Sequence, residues 1–294
     1  MNTNDLKIFE SVALNGNFTK AAQAMHTVQS NVTARIKSLE EEFGASLFLR
    51  SSRKVELTAA GEILMHYCTR IDQLINEAKN NIQHTDRMIG HLNIGCIETT
   101  MALKMPDIIA AFAEQYPDVD LEFRSAMRPA LISDVLNYKL NAAFVPAPVS
   151  VKDLDQVHVK EEQLVILVSS KYTNVQEVLS NKQLKIVVFE QGCVFRARLE
   201  SWLDSKGILQ YKSIVLNSIE GIINFVEAGI GISVLPAEII ADYYASRRLK
   251  TFSLSKELGT MNTVLVFRKN SPLSGPLNAF INMYKQPASR PLPV

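Results

Sequence analysis

NFTKAAQAMHTVQSNVTARIKSLEEEFG, residues 17–44, runs directly into ASLFLRSSRKVELT, residues 45–58, and these two stretches decide how the chain is read. Asn17 is a helix-capping residue type, and a short helix from Phe18 to Met25 follows it. Ala21 and Ala22 lie in its middle, where small side chains let another helix cross closely. His26-Thr27-Val28 forms the turn. A third helix runs from about Gln29 to Phe43, with Val32, Ile36 and Leu39 as its buried stripe. Gln29, Ser30, Asn31, Thr33 and Arg35 lie off that stripe, near the front. Amides and hydroxyls bond base edges and phosphates, and arginine reads guanine or grips phosphate. Glu40, Glu41 and Glu42 would be repelled by phosphate, so only the front of this helix suits a DNA groove. After Phe43-Gly44 comes a short hairpin, or wing, with Arg50, Arg53 and Lys54 around its tip, suited to clamp a backbone or reach a minor groove. A solvated polar face and a solubilising turn are the plain alternatives for each feature alone.

Upstream, Leu6, Phe9, Val12 and Ala13 recur at helical spacing, which predicts a first helix over residues 5–15, ended by Asn15-Gly16. Downstream, Thr58 caps a long helix reaching about Arg87. Leu64, Tyr67, Ile71, Leu74, Ala78 and Ile82 form a stripe along it that approximates a coiled-coil seam. A lone helix of this length cannot bury such a stripe on a small N-terminal domain, so a homodimer is expected; packing on the chain's own C-terminal part is the alternative. A two-fold dimer implies double-stranded DNA with inverted half-sites.

Phe18-Thr19-Lys20-Ala21-Ala22, Gln29-Ser30-Asn31-Val32-Thr33, Leu39-Glu40, Phe43-Gly44, Leu47-Phe48-Leu49-Arg50 and Leu57-Thr58-Ala59-Ala60-Gly61 together resemble the LysR-type transcriptional regulators. Two positions depart from the family pattern. Met25 stands where leucine is frequent, and Val28 stands where a small hydroxyl residue is frequent. The second departure removes the usual side-chain cap of the third helix unless Thr27 supplies it. The resemblance implies a multidomain chain: an all-α winged helix-turn-helix domain over 1–58, a linker and dimerisation helix over 59–89, and an α/β two-lobed, periplasmic-binding-protein-like effector domain over 90–294. It also implies a homotetramer built as a dimer of dimers, and control of RNA polymerase access.

The C-terminal part carries its own pattern. Strands are expected at His91 to Ile97, Val119 to Phe123 and Asn141 to Val145, with helices at about Thr100 to Tyr116 and Ala130 to Tyr138. A second unit has strands near Leu164 to Val168, Lys185 to Phe189, Ser213 to Leu216 and Gly231 to Leu235, with helices near Val194 to Lys206, Ile219 to Ala228 and Pro236 to Tyr244. Thr263 to Phe267 is a strand leading back, and Gly275 to Tyr284 a last helix. The alternation implies a mostly parallel sheet with ligand sites at strand ends. On the family's fold, lobe 1 covers about 90–146 and 268–294, and lobe 2 about 147–267. The run Ala228-Gly229-Ile230-Gly231-Ile232-Ser233-Val234-Leu235-Pro236 is characteristic of the family and is not a dinucleotide loop, because its glycines end a helix and open a strand.

An effector is expected between the lobes. Candidate contacts are Glu98, Thr99, Thr100, Ser125 and Arg128 from lobe 1, with Gln191, Cys193, Arg196, Asn217 and Ser218 from lobe 2. Helix N-termini and the two arginines favour a carboxylate, whereas Glu98 and Glu190 favour an amine. Ordinary helix capping is the alternative for each Ser, Thr or Asn. Cys96 and Cys193 fall near the expected cleft, and a helix N-terminus at Cys193 would lower its thiol pKa; a thiol-based redox regulator is therefore the second reading. A ligand-binding protein without a DNA function is a remote third.

Composition limits the rest. Residues 1–58 hold seven Lys/Arg against six Asp/Glu, so DNA affinity must come from the placement of charge. Three scattered cysteines make neither a disulfide framework nor a zinc site. No resident cofactor is expected. The five histidines show no metal spacing, and neither a Gly-x-Ser-x-Gly elbow nor a phosphate loop is present, so the chain does not read as an enzyme. The longest apolar runs are far too short to span a membrane, and Asp5, Lys7 and Glu10 stand where a signal peptide needs an apolar core; a cytoplasmic protein is the expectation.

Overall fold

A computed structural model describes residues 1–50, 55–83, 88–103, 105–180, 183–269 and 275–285. The chain divides into two units, Met1–Gln83 and His84–Val294.

In the first unit, α1 (Thr3–Asn15) begins two residues before the expected start. Asn2 is the reason. Its side chain accepts from the Asn4 and Asp5 N–H groups, while the Asp5 carboxylate accepts from the Asn2 N–H, a reciprocal capping box. Asn17 caps α2 (Phe18–Ala24) through the Thr19 and Lys20 N–H groups. The turn after α2 places His26 at φ +50°, in the left-handed region that histidine enters more readily than bulkier residues. α3 (Gln29–Phe43) follows, then the antiparallel hairpin β1 (Phe48–Arg50) and β2 (Val55–Leu57). Glu40 accepts from the Leu47 and Phe48 N–H groups at 2.9 and 3.4 Å, so this member of the acidic run fastens the hairpin's entry to α3. α4 (Ala59–Gln83) completes the unit, with the Thr58 hydroxyl accepting from the Gly61 N–H at 3.0 Å.

Phe9, Val12, Val32, Ile36, Leu39, Leu47 and Phe48 form the core of this unit. Leu64 and Cys68 of α4 are buried in it, and Ile71 packs against it. That corrects the expectation for the α4 stripe. The start of the helix does bury its apolar side on the N-terminal domain, because Leu64, Cys68 and Ile71 repeat at the helical period facing it. Tyr67, Leu74, Ala78 and Ile82 remain exposed.

The second unit runs β3 (Gly90–Cys96), α5 (Glu98–Leu103), α6 (Met105–Gln115), β4 (Val119–Ser125), α7 (Arg128–Leu136), β5 (Ala142–Pro146), β6 (Leu154–Ser169), α8 (Val175–Leu179), β7 (Lys185–Val188), α9 (Val194–Ser205), β8 (Lys212–Val215), α10 (Ile219–Glu227), β9 (Ser233–Pro236), α11 (Ala237–Tyr243), β10 (Leu249–Ser253), α12 (Lys256–Gly259), β11 (Thr260–Arg268) and α13 (Gly275–Lys285). The single helix expected over 100–116 is therefore two, α5 and α6. The main sheet has the order β10-β6-β11-β5-β3-β4, with β9 also paired to β6. β3 is parallel to β4 and β5, and β7 to β8, but β6 and β11 pair antiparallel with each other and with β5, β9 and β10. The expected mostly parallel sheet is thus mixed. β6 and β11 carry the chain between the lobes in opposite directions, which forces antiparallel pairing.

The same two strands shift the lobe boundary. The first half of β6, absent from the sequence reading, and the second half of β11 extend the lobe 1 sheet, whereas the far end of β6 pairs with β9 and β10 in lobe 2. A register shift at Thr263/Val264 interrupts their pairing where the chain passes between lobes. In lobe 1, side chains alternate across the sheet. Ile94, Phe144 and Leu265 face Phe112, Phe280 and Ile281, while Ala143, Val145 and Val266 face Leu131 and Val135 of α7. Lobe 2 has one core, in which Ile166, Ile186, Val187, Leu199, Trp202, Ile222, Ile223 and Leu235 meet. Gly231 is needed there for space, since a Cβ would lie 2.5 Å from the Lys185 carbonyl oxygen.

Candidate functional site

The front of α3 presents Gln29 and Ser30 to solvent. Behind them the Asn31 amide donates to the Thr27 hydroxyl at 2.9 Å, and the Thr33 hydroxyl donates to the Gln29 carbonyl at 3.0 Å. Val28 is the N-cap residue and makes no side-chain cap. Thr27 does not supply one either, because its hydroxyl is turned to the Asn31 side chain. Arg35 also has a partner within the chain: its Nη1 lies 3.1 Å from Asp5 Oδ1, tying α3 to the capping box of α1. The guanidinium has five donors, and its side chain is 46% exposed, so the pairing leaves it able to meet a further partner. The wing strands stand as expected, but the Arg50 side chain, Arg53 and Lys54 lie outside the described residues.

In the second unit a cavity of about 200 Å3 opens between the lobes. Glu98, Thr99, Ser125, Arg128, Cys193 and Asn217 line it, so six of the ten residues singled out from the sequence converge on one space. Glu98 Oε1 accepts from the Ile219 N–H at the start of α10, 2.9 Å away, which joins lobe 1 to lobe 2. Burial pushes the Glu98 carboxyl pKa up, and the Ile219 N–H partly offsets this by favouring the carboxylate. Thr99 is buried, and its hydroxyl has no hydrogen-bond partner among the described residues. Arg128 donates through Nη2 to the Pro148 carbonyl, and its Nε is buried without a partner among the described residues.

The other four differ. Arg196 pairs with Glu200 at 2.9 Å and lies, with Gln191, in a neighbouring cavity of about 270 Å3 that shares Arg128 and Cys193 with the first. Ser218 caps α10 by accepting from the Gly221 N–H at 3.1 Å, which is the ordinary structural role. Thr100 does not line the cavity, and its hydroxyl is buried without a partner among the described residues. The apolar walls, Ile97, Met127, Pro146, Phe189, Val194 and Phe195, were missed from the sequence. Apart from Pro146, only their position one or two residues from the named polar candidates could have flagged them.

The cysteines also depart from expectation. Cys193 is the N-cap of α9, yet its thiol pKa is raised, because burial outweighs the Arg196 and Phe195 N–H groups and the Arg196 charge. Burial likewise pushes the Cys96 thiol up to about 12. The thiolate is the reactive form, so neither cysteine has the lowered pKa on which a redox sensor depends.

Comparison with known proteins bears on both units. The family described as "Bacterial regulatory helix-turn-helix protein, lysR family" matches residues 3–62, and "LysR substrate binding domain" matches residues 85–288. The chain belongs to the LysR family of transcriptional regulators. Among its relatives in Bacillus subtilis (strain 168), the HTH-type transcriptional regulator YusT is 35% identical over 97% of this chain and 95% of its own length. The HTH-type transcriptional regulator GltR from the same strain is 34% identical over 96% and 95%. The full-length CbnR structure, complexed with its target DNA, superposes with a TM-score of 0.71 at 19% identity, covering 97% of this chain and 99% of that one. A full-length OxyR variant from Pseudomonas aeruginosa gives the same TM-score at 21% identity, over 97% and 93%. This LysR-type regulator therefore combines a DNA-binding helix-turn-helix domain with a C-terminal effector-binding domain. Among its described residues no helix is long and apolar enough to cross a membrane.

Proposed function

We propose that a small-molecule effector bound between the lobes controls how this regulator binds or bends its operator. One observation carries the reading: the interlobe cavity is lined by Thr99 and Arg128, and the buried Thr99 hydroxyl and Arg128 Nε in its wall lack partners among the described residues. Buried polar groups without partners cost free energy, and a polar ligand satisfies them. The effector acts to the extent that it prefers one arrangement of the lobes over another. Gln29 and Ser30, with Arg35, read or grip the DNA, and Asn31 and Thr33 hold the front of α3 in shape. The regulator works as a homodimer or a dimer of dimers on inverted half-sites, without enzymatic activity, in the cytoplasm, and changes RNA polymerase access.

The test is a gel-shift titration against the DNA upstream of the protein's own gene, with salt varied and a metabolite panel added. Saturable, sequence-dependent binding that a metabolite shifts supports the reading. Gln29→Ala is expected to weaken operator binding by about 1–3 kcal/mol with unchanged melting. Arg35→Ala is expected to weaken binding and also lower the melting point, because Asp5 loses its ion-pair partner. Unchanged operator affinity in both variants at moderate salt would remove the α3 assignment.

A further inference from the structure

The interlobe cavity is lined by an exposed carboxylate, Glu190, and by two more enclosed groups of opposite charge, Glu98 and Arg128, that do not neutralise each other. Glu98 and Arg128 both line it, yet among the described residues neither forms an ion pair. Glu98 commits Oε1 to the Ile219 N–H, so the N-terminus of α10, an attractive seat for an anion, is already taken by the protein's own carboxylate. An anionic ligand group is thereby left to Arg128. Arg128 lines the cavity, and among the described residues its Nε and the Thr99 hydroxyl, both buried in the cavity wall, have no partner. Most of the remaining lining is apolar, including Ile97, Met127, Phe189 and Phe195. A simple carboxylate would satisfy Arg128 but lie near the Glu98 charge in a poorly solvated space. A simple amine would satisfy Glu98 and leave Arg128 unpaired. A ligand carrying both charges meets both demands at no change in net charge. The cavity is about 200 Å3 and shares Arg128 and Cys193 with the neighbouring one of about 270 Å3, so a ligand confined to the first space is below the roughly 300–1,000 Å3 of drug-sized sites.

We propose that the effector is a small α-amino acid with an uncharged, apolar side chain. Its carboxylate meets Arg128 and the Thr99 hydroxyl, its ammonium meets Glu98, and its side chain lies among Ile97, Met127, Phe189 and Phe195. The proposal rests on the effector reading of the cleft given above and names its ligand class.

The full-length protein tests this by thermal denaturation and isothermal titration with alanine, valine, leucine, methionine and phenylalanine. The best binder is then compared with its deaminated and decarboxylated counterparts; for leucine these are isocaproate and isopentylamine. At least one amino acid is expected to raise the midpoint and saturate. Each counterpart, lacking one charge-assisted contact, is expected to bind about tenfold or more weakly. Glu98→Gln keeps an acceptor for the Ile219 N–H, and it is expected to erase the preference for the amino acid over its deaminated counterpart. Arg128→Gln is expected to erase the preference over the amine. A counterpart that binds as tightly as the amino acid, or a panel in which no amino acid moves the midpoint, overturns the proposal. Operator binding is measured on the same preparation without ligand. Retained operator binding with no amino-acid response defeats the ligand class alone, whereas lost operator binding counts against the regulator reading itself.

Discussion

At the residue scale, several side chains have roles that their chemistry alone left open. Arg35 has the chemistry of a base reader and also braces α1 through Asp5. Ser218 has the chemistry of a ligand contact and caps a helix. Val28 is the opposite case, an apolar residue in a capping position. Its backbone is extended at φ −96° and ψ 149°, the residue is 64% exposed, and its side chain bonds none of the N–H groups at the start of α3, although its carbonyl accepts from Asn31 and Val32. Val28→Ser adds an acceptor there without removing a buried contact. It is expected to stabilise the helix-turn-helix unit by about 1 kcal/mol. Thermal denaturation of the full chain, followed by a probe in the N-terminal unit, checks this; an unchanged or lowered midpoint would show that the cap geometry is wrong.

At the element scale, α4 starts under a close constraint. Gly61 lies in its first turn, where a Cβ would stand 2.2 Å from the Leu47 carbonyl oxygen and 2.9 Å from a Leu57 methyl carbon. Helix propensity alone makes Gly→Ala favourable by roughly 1 kcal/mol. Here the obstruction is backbone and cannot swing aside, so overpacking wins. Gly61→Ala is expected to lower stability by about 1–3 kcal/mol net and to loosen the wing, whose strand β1 begins at the residue after Leu47. A raised melting point in this variant would contradict the packing of α4 against the hairpin. The glycine in the run Leu57-Thr58-Ala59-Ala60-Gly61 thus has a steric reason, one that no periodicity in the sequence expresses.

At the scale of the whole molecule, the open matter is what covers the far part of α4. Tyr67 is 50%, Leu74 39% and Ile82 77% exposed, and they follow the spacing of a seam. We read this as the surface that meets a second copy. Leu74→Glu places a charge in the middle of that seam and is expected to shift the protein to a smaller species in sedimentation velocity, with operator affinity falling in step. A variant with the sedimentation of the parent would place the subunit contact elsewhere. Within the second unit, β6 and β11 connect the two lobes, and their pairing changes register where they cross. Any rearrangement of the lobes by a ligand must be accommodated by these two strands.

The sequence by itself determined the helix-turn-helix. The ends of α3, the cap at Asn17 and the left-handed glycines Gly16 and Gly44 all stand where local patterns put them, because helix periodicity and capping act over three or four residues. It also indicated most of the strands and helices of the second unit in their order, but not α8, β10 or α12. The tertiary structure alone decided which candidates share a cavity. Glu98 meets Ile219 across 121 positions of chain, and Arg35 meets Asp5 across 30. It likewise decided that Arg196 is paired with Glu200, that the sheet is mixed, and that burial outweighs the helix N-terminus at Cys193. Capping and periodicity are short-range and are written in neighbouring residues. Charge pairing, desolvation and cavity lining depend on which distant residues the fold brings within a few ångströms, and no local pattern encodes that.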